Sequence, residues 1–214
     1  MIDYLLEISS YLKDGALISL SIFAVTIIFS FPLSLLIAIG LKKKSLINKI
    51  IRTYTWIFRG TPLMLQLFLF MYGLPAIGIK VDRMVVAFIG FIINYTAYFV
   101  EIIRAGIESL PKDQFESAEV MGASRFKTYR YIIIPQAIRT QIPVITNELI
   151  TLIKDTALVT VIAISDLMRN VKEIVSRDFT ISPFILASIF YLAISYIIVT
   201  IFRKIENHYN FQDN

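Results

Sequence analysis

Four stretches of the chain, 15–41, 60–79, 84–100 and 179–202, contain no Asp, Glu, Lys or Arg. A helix that crosses a bilayer's hydrocarbon core needs roughly 20 largely apolar residues. The pattern therefore predicts membrane spans at about 15–41, 61–78, 84–106 and 182–202. Pro32 lies inside the first span, where it removes one backbone hydrogen bond and predicts a bend. A further passage is less regular: 131–153 is apolar but interrupted by Pro135, Arg139, Pro143 and Glu148. The stretch 156–165 follows the charged pair Lys154-Asp155 and is too short to span alone, so 131–165 reads as one broken passage. This predicts an all-α integral membrane chain, one transmembrane domain over 1–214 with five spans, and a polar connection at 107–130.

Composition and charge agree with this reading. Apolar residues make up 57% and charged residues 17%, against about 45–50% and about 25% in soluble domains, which excludes a soluble enzyme. The chain has no Cys, and His208 is its only histidine. No disulfide framework, thiolate nucleophile, His-based metal site or Ser-His-Asp triad can be built from it. The net charge of +5 reports topology rather than nucleic-acid binding, because basic residues beside spans mark the cytoplasmic side. With the C-terminus inside, segments 42–59, 104–130 and 203–214 carry thirteen Lys and Arg, while 1–14, 79–83 and 166–181 carry six. The expected orientation is N-terminus outside and C-terminus cytoplasmic, with Lys42-Lys43-Lys44 the clearest contribution.

The segment 107–130 surrounds a short amphipathic core of Phe115, Ala118, Val120, Met121 and Phe126 with charge. It reads either as a surface helix solvating the membrane face or as a docking element for a partner protein. ESAEVMGASRFKTYRYIIIP, residues 116–135, closely resembles the EAA signature of permease subunits of bacterial ABC importers. That pattern is Glu-Ala-Ala, three residues, Gly, nine residues, Ile, one residue, Leu-Pro. Glu116, Ser117, Ala118, Gly122, Ile132, Ile134 and Pro135 stand at the matching places, with Ser117 for an alanine and Ile134 for a leucine. RGTPLMLQLFLFMYGLP (59–75), YFVEIIRAGIESLPKDQFESAEVMG (98–122) and IPQAIRTQIPVITNELITLIKDTALV (134–159) are similar to the permeases for histidine, glutamine, arginine and cystine.

The resemblance implies a type I ABC importer permease fold in a bacterial cell membrane. It also implies a second permease, ABC ATPase subunits and an external substrate-binding protein as partners. Small residues at 117, 118 and 122 let a short helix lie flush in a groove, and Gly122 permits a close turn. The chain has no Gly-x-x-x-x-Gly-Lys-Ser/Thr phosphate loop. ATP and Mg are therefore expected on the partner ATPase, with no cofactor, metal or catalytic residue here. Coupling to that ATPase falls to Glu116, Ser117, Ala118, Gly122 and Pro135. An ion-coupled secondary transporter is the alternative, but it gives 107–130 no role; a membrane enzyme has no legible nucleophile and base.

An amino acid crossing lipid needs partners for its ammonium and carboxylate, so polar residues within spans are the candidates. Glu148 and Asp155 are seven apart, about 20° short of two helical turns and about 10 Å in rise, with Thr151 between them. Two carboxylates on one face suit an α-ammonium and a basic side chain. Other readings stay open: Asp155 as a cap for the next helical piece, and Lys154 or Arg139 neutralising Glu148. For the carboxylate, Thr61 at a helix cap with Pro62 in the first turn offers free N–H groups and a favourable dipole. Gln66 and Asn94 either join this site or act as hydrogen-bonding glue between helices. Arg59, Glu101 and Arg104 lie near the cytoplasmic ends of their spans, where they pair with one another or with lipid headgroups, and no transport role is assigned to them. Ser165-Asp166 and the following LMRNVKEIVSR predict a capped outer amphipathic helix, resting on the bilayer or meeting the binding protein. Which amino acid is carried, and whether two identical permeases pair, stays open.

Overall fold

A computed structural model describes residues 2–40 and 46–210; Lys42-Lys43-Lys44 lies outside the described residues. Nine α-helices and no strand occur among the described residues. They are α1 (Ile2–Gly40), α2 (Leu46–Gly60), α3 (Leu63–Ala76), α4 (Arg83–Ser109), α5 (Asp113–Val120), α6 (Arg125–Thr128), α7 (Ile134–Asp155), α8 (Leu167–Asp178) and α9 (Ser182–Asn210). α1 runs through Pro32 without a break in its helix.

The expected second span is divided. α3 has 14 residues, which at about 1.5 Å per residue is too short for a core of about 30 Å. It is joined to α2 through a bend of 102° at residues 61–62. Among the described residues, α1, α4 and α9 are each long and apolar enough to cross a membrane, and the bent pair α2–α3 passes only when taken together. α7 continues without a loop into tighter 3-10 turns over Thr156–Ile162, which end at Ala163 with φ +59°. At its other end a wide π turn, Tyr129–Ile133, precedes Pro135. A proline lacks the N–H that a regular helix needs and its ring crowds the carbonyl four residues back, so a locally wider turn accommodates it.

α4 is the central helix, packed by α1, α2, α3 and α7. It starts at Asp82, whose carboxylate accepts from the Met84 N–H at 2.8 Å. Its inner faces bury Phe91, Tyr95 and Phe99 against Ile22 of α1, Leu67 of α3 and Leu152 and Ile153 of α7. The α4–α7 approach is close enough that a Cβ on Gly106 would lie 2.6 Å from the Ala137 carbonyl oxygen. Glycine is required there by contact with backbone, which cannot swing aside.

The outer amphipathic helix differs from expectation. Asp166 does cap α8, accepting from the N–H groups of Met168 (3.0 Å) and Arg169 (3.2 Å) and from the Thr160 hydroxyl (2.5 Å). The apolar face of α8, however, buries Leu167, Val171 and Ile174 against Ile8 and Leu12 of α1 and Ala187 of α9. That face is covered by protein and is not free to enter a bilayer surface. Polar bonds fix the same contact: the Tyr4 hydroxyl donates to Asp178 (2.7 Å) and the Tyr11 hydroxyl to Glu173 (2.9 Å). Arg177 and Tyr4 hold the Asp178 carboxyl down at about 2. A depressed carboxyl contributes stability above its unfolded value and loses it as pH falls towards 2, so this link persists through the physiological range.

Gly106→Ala is expected to force α4 and α7 apart and cost about 1–3 kcal/mol, as overpacking of a filled interior does. Thermal unfolding in detergent micelles measures it, and an unchanged transition would contradict the close approach.

Candidate functional site

The site begins with the bend between α2 and α3. The last turn of a helix leaves carbonyls without intrahelical partners, and here two side-chain amides reach them. The Gln66 amide Nε2 donates to the Phe58 carbonyl (3.0 Å), the Thr61 carbonyl (3.1 Å) and Thr61 Oγ1 (2.8 Å). Asn94 of α4 donates through Nδ2 to the same Phe58 carbonyl (3.0 Å) and to Gln66 Oε1 (3.1 Å). Gln66 and Asn94 are 4% and 3% exposed, so they serve as the interhelical glue that was one of the two sequence readings. Thr61 is not the cap of α3: Pro62 holds that position, and the Thr61 hydroxyl turns back to donate to the Ile57 carbonyl at 2.8 Å.

A polar pocket of 440 Å³ opens beside this bend. The bend lines it with Arg59, Gly60, Thr61 and Pro62, α3 with Leu63, and α4 with Asn94, Tyr95 and Tyr98. Glu148, Thr151 and Asp155 line it from α7, as the seven-residue spacing predicts, and Leu158 closes one side. Five of the six residues singled out for substrate thus meet in one cavity, while Gln66 sits behind its wall. Asp155 accepts from the Tyr95 hydroxyl at 2.8 Å and makes no capping bond to the following 3-10 turns, which removes the capping reading. Glu148 is half-buried and, among the described residues, accepts no hydrogen bond and forms no ion pair. The Thr151 hydroxyl donates to the Asn147 carbonyl at 3.0 Å, leaving its oxygen lone pairs to face the pocket. Among the described residues no group of three His, Asp or Glu is arranged to hold a metal.

Sequence reasoning missed Tyr95, Tyr98 and Arg59. Tyr98 was within reach, since it lies one turn from Asn94 on the same face of α4. Arg59 was assigned to the cytoplasmic rim. Its guanidinium lies over the Tyr98 ring, 5.3 Å from the centroid, and its Nη1 is 3.8 Å from Glu101, one of the partners expected for it. Glu101 is held more tightly by Arg104 and by the Thr55 hydroxyl (2.8 Å), and Arg104 also grips Glu108 with two bonds of 2.8 and 2.9 Å.

A second cluster forms on the segment after α4. α5 carries Glu116 and Ser117 exposed and Ala118 buried. It ends at Gly122 with φ +73°, where the Ala123 N–H reaches the Ala118 carbonyl (3.0 Å) and the Gly122 N–H the Glu119 carbonyl (2.9 Å). This pair of bonds is a Schellman cap, which needs the left-handed conformation that glycine adopts without a Cβ penalty. Phe115 packs against Tyr129, with ring centroids 5.9 Å apart, and Gln136 beside Pro135 donates to Gln114 at 3.3 Å. Val120, Met121 and Phe126 do not join a core as expected: they are 88%, 85% and 58% exposed. They are exposed on either side of the Gly122 turn.

Comparison with known proteins bears on the chain as a whole. Residues 30–210 match the family of binding-protein-dependent transport system inner membrane components. The chain is 35% identical over 212 residues to a Rickettsia bellii permease protein, GlnP, named for glutamine transport, covering 96% of this chain and 97% of that one. It is 36% identical over 201 residues to the arginine transport system permease protein ArtQ of Bacillus subtilis, covering 92% and 91%. Among solved structures, an amino acid ABC transporter crystallised with histidines superposes with a TM-score of 0.85 at 28% identity, over 96% of this chain and 97% of that chain.

Gln66→Leu is expected to leave the Thr61 carbonyl and the buried Asn94 amide short of partners. The cost is about 1–3 kcal/mol, read as a lower unfolding temperature in micelles. A variant as stable as the parent would show that the amide does not hold the bend.

Proposed function

The chain belongs to the family of binding-protein-dependent transport system inner membrane components, and from that premise we propose that its pocket carries a polar, preferably basic amino acid. Members of this family are the membrane-spanning permease subunits of ATP-driven importers in the bacterial inner membrane, transport components rather than enzymes. The observation that carries the substrate reading is the meeting of Glu148 and Asp155 in one polar pocket, on a helix we read as part of a membrane passage. An ionised carboxylate in that setting is tolerated when it faces a cavity and a cation. Glu148 has an open carboxylate for an ammonium. Asp155, steadied by Tyr95, is poised for a second cationic group. The arginine and glutamine named for the relatives differ in whether that second group is charged, and two acids favour the charged one.

The topology that fits this role has five passages: α1, the bent pair α2–α3, α4, α7 with its 3-10 extension, and α9. The N-terminus is outside and the C-terminus cytoplasmic, as the basic residues favour. α5, Gly122 and α6 then face the cytoplasm, where the exposed Val120, Met121 and Phe126 supply an apolar surface for a cleft in an ABC ATPase subunit. ATP and Mg are bound by that partner. A second permease, identical or a sibling, completes the pathway, and an external substrate-binding protein delivers the amino acid. Transport is by alternating access: ATP closes the ATPase pair and draws the two cytoplasmic levers together, opening the pocket outward, and hydrolysis returns it inward. Gln114–Gln136 and the Phe115–Tyr129 contact join α5 to the base of α7, so displacement of the lever reaches the helix that bears Glu148 and Asp155.

Two outcomes are expected from the complex in liposomes. Glu148→Gln should weaken L-arginine binding about 10- to 100-fold, the loss of one charge-assisted hydrogen bond; unchanged binding of arginine, glutamine, histidine and cystine would overturn the site. Gly122→Val, strained at positive φ by about 1–2 kcal/mol, should depress ATP-dependent uptake while arginine binding is retained. Uptake equal to the parent's would count against the lever.

A further inference from the structure

Resting on the amino acid reading of the pocket, we propose that Arg59 binds the carboxylate of the substrate and is the residue that distinguishes an amino acid from the corresponding amine. Among the described residues Arg59 is the one cation lining the pocket, which it shares with the two acids of α7. Its side chain is 44% exposed, and among the described residues none of its N–H groups makes a hydrogen bond. Glu101 does not consume it. That carboxylate takes its close contacts from Arg104 and Thr55 and stands 3.8 Å from Arg59, a distance that steadies a charge without engaging its donors.

The ring of Tyr98 supports the guanidinium through its face, the arrangement that leaves the N–H edges available for a planar, two-pronged carboxylate. Phe58, the neighbouring residue, has its carbonyl fixed by both Gln66 and Asn94, so the turn that bears Arg59 is held still. Preorganised donors of this kind lose little freedom on binding.

Charge matching points the same way. Arg59, Glu148 and Asp155 present one positive and two negative groups to one cavity. A basic amino acid carries one carboxylate and two cations, the complement of that set.

The test uses the purified permease–ATPase complex without the binding protein, so that only the pocket selects, with L-arginine and its decarboxylated analogue agmatine as probes. The parent protein should bind arginine about 10- to 100-fold more tightly than agmatine. Arg59→Gln should reverse this: arginine weakens by a similar factor while agmatine binds as well or better, because the pocket loses a repelling charge. Arg59→Lys should retain part of the preference. Opposite shifts for the two probes cannot come from misfolding. The proposal is overturned if Arg59→Gln weakens both probes alike, leaves arginine unchanged, or if the parent binds both equally. Equal parent binding of both probes that Glu148→Gln weakens would leave the pocket standing and remove only the role of Arg59, whereas a parent that binds neither would sink the pocket itself.

Discussion

A buried carboxylate is tolerable only where it meets water, a donor or a cation, and that constraint bears on the two acids of α7. Two acids seven residues apart on α7 share one polar space with the α2–α3 bend and with α4. α2 and α3 turn away from each other by 102°, α4 presents Asn94, Tyr95 and Tyr98 instead of aliphatic side chains, and α7 gives way to 3-10 turns directly after Asp155. Each departure from regular helical packing leaves backbone groups to satisfy, and the side chains that satisfy them also line or back the pocket.

The bend illustrates this economy of parts. Within a bilayer an irregular backbone is stable where protein groups supply its hydrogen bonds. Gln66 and Asn94 do so for the end of α2, and the same bonds set the wall on which Thr61 and Arg59 stand. A second irregularity, the π turn before Pro135, lies at the opposite end of α7, next to the segment with the exposed Val120, Met121 and Phe126. The helix carrying the acids is therefore bounded by a tight turn at the pocket and a wide one towards the Gly122 turn, with Gly106 of α4 close against its first turns.

Much of this was legible in the sequence, for reasons that differ between elements. Uncharged runs reveal α1, α4 and α9 because lipid excludes charge over a fixed thickness. The spacing of Glu148, Thr151 and Asp155 brought them to one face because α7 is a regular helix over just those residues. Failures came where tertiary contacts override local pattern. Thr61 and Pro62 carry a helix-start signature, yet the threonine hydroxyl serves the preceding helix instead. The amphipathic pattern of α8 suggested a membrane surface, but α1 and α9 cover it. Val120, Met121 and Phe126 were grouped with Phe115 and Ala118 by hydrophobicity, although the fold leaves the first three exposed and turns Ala118 inward. Arg59 looked like a rim charge because its distance from Glu148 in sequence conceals their common cavity.

The central claim is that a polar amino acid sits between α7 and the α2–α3 bend while a partner ATPase grips the Gly122 turn. A cryo-electron microscopy map of the permease–ATPase complex, prepared with saturating L-arginine, tests it most directly. The account predicts ligand density touching Glu148 and Asp155, and residues 113–128 seated in the ATPase. An empty pocket with the ligand bound elsewhere, or a lever free of the ATPase, would contradict it.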